Sequence, residues 1–443
     1  MSPRAEQSAS DLRLADLQET WRLLTPEERQ EAFAELTRDE TEDFFLDLSA
    51  RDQHELLSGM PAGERRSWLR LLPPDDAADL IQEAADDERE SLLALLDDAT
   101  LKEVRALLAY AEDDAGGLMN PRYLRVRPDV SVDEAFGYVR KQARDAISHV
   151  SYVYVIDADQ KLLGVVSLRE LFAATADKTV RDIMTRELVT AGEDMDQEAL
   201  SRLFAQSDLS AIPVVDSAGR IHGVVTVDDI VDVLQEEATE DIQKIGGTEA
   251  LDAPYLEVGI WQMVKKRVGW LAALFVSEML TTTAMSRFEA EIARAVVLAV
   301  FVPLIISSGG NSGSQASTLV IRAMALGEVK LADWWHVIRR ELTSGLMMGA
   351  ILGTIGFARV MLWQTLFHSY GTHGMLVAVT IAFSVIGVVT WGTLSGSMLP
   401  FLLRRVGLDP ASASAPFVAT LVDVTGIVIY FTVASYVLRG TLL

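Results

Sequence analysis

Cysteine is absent from this chain of 443 residues. Disulfide bridges and thiolate metal sites are therefore excluded. The N-terminal stretch MSPRAEQSAS also lacks the apolar core that a cleavable signal peptide needs. The sequence contains neither a phosphate-binding Walker loop nor a recognisable pairing of a nucleophile with a base. The absence of these two motifs disfavours an enzyme and a pump driven by ATP hydrolysis.

Acidic residues greatly outnumber basic residues in the first part of the chain. Residues 1–257 hold 56 acidic and 26 basic residues, whereas residues 258–443 hold 8 and 13. The net charge is therefore −30 for the first part and +5 for the second, within a total of −25. So sharp a division of charge predicts two different environments rather than one globule.

Long apolar runs occur only in the second part. A helix needs about 20 apolar residues to span the hydrocarbon core of a bilayer. The second run reaches that length only if it continues through the glycine-rich segment that follows it. The number of runs favours five membrane spans over a globule with buried core helices. The runs cover residues 268–285, 295–308, 342–361, 375–398 and 415–437.

The basic residues between these runs predict the orientation, because positive residues concentrate in connections that face the cytoplasm. They precede the first run and occupy the connections after the second and fourth runs. They are Lys265, Lys266, Arg267, Arg322, Lys330, Arg339, Arg340, Arg404 and Arg405. We therefore expect a multi-pass protein of the cytoplasmic (inner) membrane, with its N-terminal part in the cytoplasm and its C-terminus outside.

The N-terminal hundred residues show repeated helix-start signals. Proline or a small polar residue followed by acids marks the stretches TPEER (25–29), SARDQ (49–53), PAGER (61–65) and PPDDAADL (73–80). The later starts recur about every twelve residues, which is typical of stacked helical hairpins. We predict an acidic α-solenoid in this region.

A duplicated pattern follows the predicted solenoid. SYVYVID (151–157) and GVVSLREL (164–171) read as a strand and then a strand leading into a helix. AIPVVD (211–216) and GVVTVDDI (223–230) repeat the pattern about 60 residues later. This duplication resembles a pair of CBS domains, also called a Bateman module.

The CBS resemblance implies a nucleotide signature in the second repeat at Gly223, Thr226 and Asp229. The first repeat departs from the signature, because Glu170 stands where the acid of the motif is an aspartate. Two readings stay open. The repeats bind ATP or another adenine nucleotide, or they bind none and serve as a dimerisation surface.

An acidic helix is predicted after the second repeat, in the segment TVDDIVDVLQEEATEDIQKIGG (226–247). At 100° per residue, Asp229, Asp232, Glu236 and Glu240 fall on one narrow arc. Like charges three or four residues apart destabilise a helix by about 0.2–0.5 kcal/mol per pair. A divalent cation with oxygen ligands, Mg²⁺ or Ca²⁺, would relieve this repulsion. The alternative is a solvated acidic connector.

The second apolar run ends in VPLIISSGGNSGSQAS (302–317). Pro303 and the glycines are expected to interrupt a lipid-facing helix, which is tolerated only where the backbone is buried or lines water. Freed carbonyl groups and the amides of Asn311 and Gln315 would then offer neutral oxygen atoms to a hydrated cation. The alternative is a kink filled by close helix packing through small residues.

One acid, Asp423, lies inside the last apolar run, within FVATLVDVTGIVIYF (417–431). An aspartate at the centre of a membrane helix costs about 2.5–3.5 kcal/mol, so it is expected to have a function. No basic residue lies in the interior of a run to pair with it, and a conducted cation would supply the missing partner. Glu278 is the other mid-run acid; it either joins the pathway or faces another helix in its protonated form.

Four motifs resemble the MgtE family of bacterial Mg²⁺ channels. They are AEDDAGGLMNP (111–121), GGNSGSQAS (309–317), GSMLPFLLRRVGLDP (396–410) and APFVATLVDVTG (415–426). The resemblance implies a homodimer with its pore between the two membrane halves, and hydrated Mg²⁺ bound at Asp423. Asn311, Gly309, Gly310 and Glu278 are further candidates for the pore site.

The resemblance also implies regulatory Mg²⁺ bound between cytosolic domains, which closes the pore. The matching acids are Asp75, Asp79, Asp229, Asp232, Glu237, Glu240, Asp241 and Asp409, and the helical arc adds Glu236.

The predicted fold is multidomain: an α-solenoid N domain, an α/β pair of CBS repeats and an all-α membrane domain of five transmembrane helices. The expected domains are the acidic helical domain (1–117), the first repeat (118–180), the second repeat (181–241), a connecting and plug helix (242–267) and the pore domain (268–443).

The predicted function is a Mg²⁺-selective, Mg²⁺-gated channel for magnesium uptake, not an enzyme. One alternative is an ion-coupled secondary transporter or exporter of Mg²⁺, Co²⁺ or Mn²⁺. Another is a membrane-anchored nucleotide sensor without transport. The expected partners are a second copy of the chain and the lipid bilayer, and no nucleic acid.

Overall fold

The computed structural model describes residues 17–143, 151–251, 253–256 and 258–442. The chain divides into two compact units, Met1–Leu234 and Gln235–Leu443. The first unit holds a helical region followed by two small sheets, and the second holds long apolar helices.

Short helices form the N-terminal region, as the start signals predict. Thr25 caps the first helix through a reciprocal capping box with Glu28, and Ser49 and Asp97 cap two others through their side chains. Aromatic and aliphatic side chains, including Phe44 and Phe45, fill a common core. The helices are α1 (Pro26–Ala34), α2 (Arg38–Leu46), α3 (Ala50–Gly59), α4 (Ala62–Leu69), α5 (Pro74–Gln82), α6 (Asp86–Leu93) and α7 (Asp98–Leu107).

Each CBS repeat forms a three-stranded sheet flanked by helices, which confirms the predicted α/β pair. In both sheets the first and second strands are parallel, and the second and third are antiparallel. The first repeat contains β1 (Arg125–Val126), α8 (Val132–Gln142), β2 (Tyr152–Ile156), β3 (Leu162–Ser167) and α9 (Leu168–Ala173). After α10 (Val180–Ile183), the second contains β4 (Ala191–Gly192), α11 (Gln197–Ser207), β5 (Ala211–Val215) and β6 (Ile221–Thr226).

The two repeats exchange short backbone pairings. Asn120, which precedes the first strand of the first repeat, pairs with Val224 in the last strand of the second repeat. Thr185, which precedes the first strand of the second repeat, pairs with Val165 in the last strand of the first. A Cβ atom at Gly223 would lie 2.7 Å from the Asn120 carbonyl oxygen, so only glycine allows this approach.

The connecting helix α12 (Val227–Ile245) follows directly after β6. Between Ile245 and Ile260 the described residues contain neither helix nor strand. The described residues of this segment thus form no separate plug helix, and residues 260–267 are the first turns of the first membrane helix. Of the predicted plug segment, Asp252 and Glu257 lie outside the described residues.

Five helices are long and apolar enough to cross a membrane, as the apolar runs predict. They are α13 (Ile260–Arg287), α15 (Val296–Ala325), α16 (Trp334–Phe367), α17 (Gly374–Arg405) and α18 (Ala415–Val437), with the short α14 (Glu289–Arg294) between the first two. The core of this unit lies among α15, α17 and α18. By contrast, α13 has no buried side chain.

The expected interruption of the second span is wrong. The helix α15 continues through Pro303 and past the glycines without a break. A Cβ atom at Gly309 would lie 2.5 Å from a Val388 methyl group, and one at Gly313 would lie 2.8 Å from the Gly392 carbonyl oxygen. The glycines therefore bring α15 into backbone contact with α17, which is the small-residue packing known from membrane helices.

Candidate ion pathway and acidic regulatory sites

Asp423 lies on α18, nine residues after Ser414, the residue that caps this helix through its hydroxyl group. The Asp423 side chain is half-buried. In the part of the chain that the structure describes, it has neither a hydrogen-bond donor nor an ion-pair partner. The charge that acts on Asp423 belongs to another acid, Glu278 on α13. Two neighbouring carboxylates without a cation form a site of negative potential.

A polar stripe runs along the exposed face of α15. Ser307, Asn311, Gln315 and Thr318 recur at helical spacing and are exposed in the single chain. The opposite face holds the buried Gly309 and Gly310. The structure thus keeps the amide of Asn311 available to a ligand. Gly309 and Gly310 instead pack against neighbouring helices. Their carbonyl groups belong to an unbroken helix and are therefore not freed to bind a cation.

The stripe and Asp423 belong to helices that pack against each other. A Cβ atom at Gly309 would lie 2.8 Å from Val422, the residue before Asp423, and one at Gly310 would lie 3.5 Å from Ala419. A partly exposed carboxylate without a basic partner among the described residues suits a cation that keeps its water shell. Mg²⁺ dehydrates reluctantly and is bound in proteins through one or two carboxylates plus waters.

A second acidic group lies in the first unit, at the start of α5. Asp75 is buried, and its Oδ1 atom accepts a hydrogen bond from the Asn120 amide at 3.0 Å. Burial, together with the negative charges of Asp76 and Asp229, raises the pKa of Asp75 well above its ordinary value. Burial and the charges of Asp229 and Asp228 raise the pKa of Asp76 to about 6.

Asp229 and Asp232 on α12 carry raised pKa values for the same main reason, burial of the carboxyl group. Each ionised carboxylate of α5 or α12 therefore raises the free energy needed to ionise its neighbours. A bound divalent cation would lower that free energy. The donor set fits a hydrated Mg²⁺ held through one or two carboxylates. Within the described residues, no three histidine, aspartate or glutamate side chains converge on a single metal position.

The remaining predicted acids lie farther along the connecting helix and on the loop before α18. They are Glu236, Glu237, Glu240 and Asp241 on α12, and Asp409 on the loop. The Lys244 ammonium group lies 2.6 Å from Glu240 Oε1 and 2.7 Å from Asp409 Oδ2. This pair of carboxylates already has a cation from the chain, so Mg²⁺ would have to displace it. Asp79 lies on α5, half-buried.

Residues of the nucleotide signature form hydrogen bonds with each other in both repeats. Thr226 Oγ1 donates to Asp229 Oδ2 at 2.7 Å, at the start of α12. In the first repeat, Ser167 and Glu170 form a reciprocal capping box at the start of α9. Gly223 allows the close approach of Asn120 described above. A nucleotide would therefore have to bind beside a hydroxyl and an acid that already bond to each other.

Sequence reasoning missed two residues of these sites, Asn120 and Lys244. Asn120 stands in the motif AEDDAGGLMNP, but its contact with Asp75 spans 45 residues and has no local signal. For Lys244 a partial signal exists, because Glu240 and Lys244 have the i,i+4 spacing of a helical ion pair. Its second partner, Asp409, is 165 residues away.

Three protein-family models match the chain. The model described as a divalent cation transporter (MgtE) matches residues 302–433, and the MgtE intracellular N domain matches residues 12–113. The CBS domain model matches twice, at residues 115–177 and 180–236.

Curated relatives match most of the chain. The magnesium transporter MgtE of Thermus thermophilus is 41% identical over 369 residues, which cover 83% of this chain and 80% of the relative. The magnesium transporter MgtE of Enterococcus faecalis is 32% identical over 337 residues, covering 76% and 72%. Both are named as transporters, which agrees with the expectation that the chain is not an enzyme.

A solved structure, described as the cytosolic domain of the Mg²⁺ channel MgtE in complex with ATP, is similar to part of the chain. It is 37% identical and covers 52% of this chain and 97% of its own, with a TM-score of 0.47.

Proposed function

This chain belongs to the MgtE family of magnesium transporters, and from that premise we propose that it is a Mg²⁺-selective channel that admits magnesium to the cell and closes when cytosolic Mg²⁺ binds. It is a multi-pass membrane protein. In the proposed arrangement the first unit lies in the cytoplasm and the C-terminus outside. Two copies form a homodimer, and the pore lies between their membrane halves.

The unpaired Asp423 carries the pore proposal. It lies on a membrane helix and faces no basic group among the described residues, and this helix packs against α15, which carries the polar stripe. One such acid from each copy would attract Mg²⁺ and hold it through its water shell. Asn311 supplies a neutral oxygen atom at the same level of the proposed pathway. Glu278 adds negative charge near Asp423.

Substitution of Asp423 tests the pore. Asp423→Ala and Asp423→Asn should abolish Mg²⁺ influx into proteoliposomes, because the amide retains an oxygen atom but not the charge. Asp423→Glu should retain part of the influx. Glu289→Gln is the matched control, since it removes an exposed carboxylate outside the five spans, and it should leave the influx unchanged. Influx at the wild-type rate in Asp423→Asn, with the protein properly inserted, would contradict the pore assignment.

Regulation is proposed to act through the crowded acids of the first unit. At low Mg²⁺ their charges repel, and at millimolar Mg²⁺ a cation neutralises them and favours the closed channel. The proposed ligands are Asp75, Asp79, Asp229 and Asp232, with Glu236, Glu237, Glu240, Asp241 and Asp409 acting nearer the membrane. An adenine nucleotide at Gly223, Thr226 and Asp229 is proposed as a second regulatory ligand.

The regulatory proposal predicts that substitutions can remove the inhibition by Mg²⁺ without changing the conduction of Mg²⁺. Asp75→Asn combined with Asp229→Asn and Asp232→Asn should leave the maximal Mg²⁺ current unchanged and remove its inhibition by Mg²⁺ on the cytosolic side. Asp98→Asn, which removes an exposed acid from the same helical region, should retain normal inhibition by Mg²⁺. Normal closure of the triple variant would assign these acids to a solvated surface.

Ion-coupled transport is the second candidate, and the closeness of Glu278 to Asp423 favours it, because a protonatable acid beside a cation site can couple the two ions. Recordings in a planar bilayer distinguish the candidates. A channel gives single-channel current steps, whereas a coupled carrier gives none.

A further inference from the structure

The last turn of the connecting helix is bound to the loop that leads into α18. We call residues 406–414 the docking loop. Lys244 on α12 bridges Glu240, one turn earlier on the same helix, and Asp409 in the docking loop. Ile245, the next residue, packs against the buried Ala411 and Ala413 of this loop. The contact thus has an ionic part and an apolar part.

The docking loop is itself fixed to the pore helices. Asp409 Oδ1 accepts a hydrogen bond from the Ala411 backbone N–H at 2.8 Å, which shapes the loop. The Ala413 carbonyl oxygen accepts a hydrogen bond from the buried hydroxyl group of Ser317, on α15, at 2.9 Å. Ser414 caps α18, the helix that carries Asp423. A displacement of the loop therefore reaches both helices of the proposed pathway.

The first membrane helix joins the same assembly. Trp270 Nε1 on α13 donates a hydrogen bond to the Ser414 hydroxyl oxygen at 3.1 Å. Gly247, just after α12, has φ +76°, and a Cβ atom there would lie 3.0 Å from the Trp270 ring and 3.2 Å from Pro416. The chain thus leaves α12 in a left-handed conformation that glycine adopts without strain.

We propose that Lys244 is a tethered cation that holds the connecting helix on the docking loop in the absence of Mg²⁺. This inference rests on the proposed regulation and refines it: docking at Asp409 needs no metal, and a Mg²⁺ ion that binds Glu240 and Asp409 has to displace the Lys244 ammonium group. An ammonium group on a four-carbon side chain occupies the place between two carboxylates that a divalent cation would otherwise take.

The charges around Lys244 support this role. The Lys244 ammonium group donates a hydrogen bond to Asp409 Oδ2 at 2.7 Å and lies 2.6 Å from Glu240 Oε1, so the two carboxylates share one positive charge. Without it, Glu240 and Asp409 would face each other as like charges, and the helix end would tend to leave the loop unless Mg²⁺ replaced the ammonium group.

A distance measurement on the full chain tests the tether. Because the protein has no cysteine, Ile242→Cys on α12 and Leu408→Cys in the docking loop give two unique spin-label sites, and both native side chains are exposed. Labelled chains are diluted with unlabelled chains so that distances between copies do not contribute. The width of the distance distribution is recorded in detergent with EDTA and with millimolar Mg²⁺. The measurement does not involve transport, so it is independent of the pore assignment.

In EDTA, the labelled wild-type chain should give one narrow distribution that Mg²⁺ leaves unchanged. Lys244→Gln should at least double the width in EDTA, and Mg²⁺ should narrow it again. Lys244→Asp and Asp409→Lys should each broaden the distribution, and the double variant should restore it in EDTA by reversing the ion pair. Arg404→Gln, which removes an exposed cation near the loop, is the matched control and should change nothing.

Two results would overturn the proposal. A wild-type distribution that is broad in EDTA and narrows only with Mg²⁺ would make the metal, not Lys244, the tether. A charge-swapped double variant as broad as its single variants would show that Asp409 does not act through an ion pair. If Lys244→Gln fails to fold, the swapped pair still decides the question, because it retains both charges.

Discussion

Three glycines on α17 allow a graded test of how closely the membrane helices must approach. A Cβ atom at Gly396 would lie 2.1 Å from the Gly313 carbonyl oxygen of α15, and one at Gly392 would lie 2.3 Å from the Gly309 carbonyl oxygen. At Gly387, the nearest atom would be a methyl group of Ile429 at 3.2 Å. The first two contacts are with the backbone of a neighbouring helix, which cannot rotate away, whereas the third is with a movable side chain.

The expected magnitudes follow from these distances. Real Cβ atoms essentially never lie closer than 3.0 Å to such a neighbour, so Gly396→Ala must separate α15 and α17 by about 0.9 Å. Overpacking of this kind costs about 1–3 kcal/mol, and a contact with backbone should lie at the upper end. Replacing glycine by alanine within a helix returns about 0.8–1.0 kcal/mol. We expect a net loss of about 2 kcal/mol for Gly396→Ala, and no loss or a gain of up to about 1 kcal/mol for Gly387→Ala.

Thermal unfolding in detergent and Mg²⁺ influx into proteoliposomes provide the two measurements. The thermal midpoint should fall in the order Gly387→Ala, Gly392→Ala, Gly396→Ala. Influx should fall in the same order, because α15 carries the polar stripe and its displacement alters the proposed pathway. Equal midpoints for Gly387→Ala and Gly396→Ala would refute the inference that backbone contact sets the spacing of these helices.

Three further predictions concern other parts of the chain. Tyr430→Phe removes a buried hydrogen bond of 2.8 Å to the Leu298 carbonyl oxygen and should cost about 1 kcal/mol of stability, seen as a lower thermal midpoint with unchanged influx. The pKa of Asp76 is raised to about 6, so its ionisation weakens the folded state as pH rises through that value. Asp76→Asn should therefore slow limited proteolysis in EDTA at pH 8, with a smaller effect at pH 5. Finally, isothermal titration with ATP should show at least tenfold weaker binding for Thr226→Val, whereas Glu170→Gln in the first repeat should bind like the wild type.

The parts of the fold that depend on local signals were predictable from the sequence. Thr25, Ser49 and the prolines of PPDDAADL start helices because their capping and backbone effects act within one turn. The duplicated strands were predictable because alternating apolar residues recur in both repeats. The last span coincides with its predicted apolar run, residues 415–437.

The features that depend on distant contacts were not predictable in the same way. Proline and glycine in α15 suggested an interruption, because their intrinsic preferences disfavour a helix. The helix stays continuous because its glycines meet Gly392 and Gly396 on α17, about 80 residues away along the chain. In the same way, the acidic arc of α12 was visible in the sequence, but Lys244 as a cation shared with Asp409 was not.

The first membrane helix, α13, buries none of its side chains within the single chain. Because its side chains all stay at least partly exposed, α13 relies on the surrounding hydrocarbon as well as on its contact with Ser414 through Trp270. Lipid can therefore support this span as soon as it leaves the ribosome and enters the bilayer. The glycine contacts among α15, α17 and α18, by contrast, need later segments to be present before they form. We therefore expect α13 to enter the bilayer before the remaining helices assemble against one another.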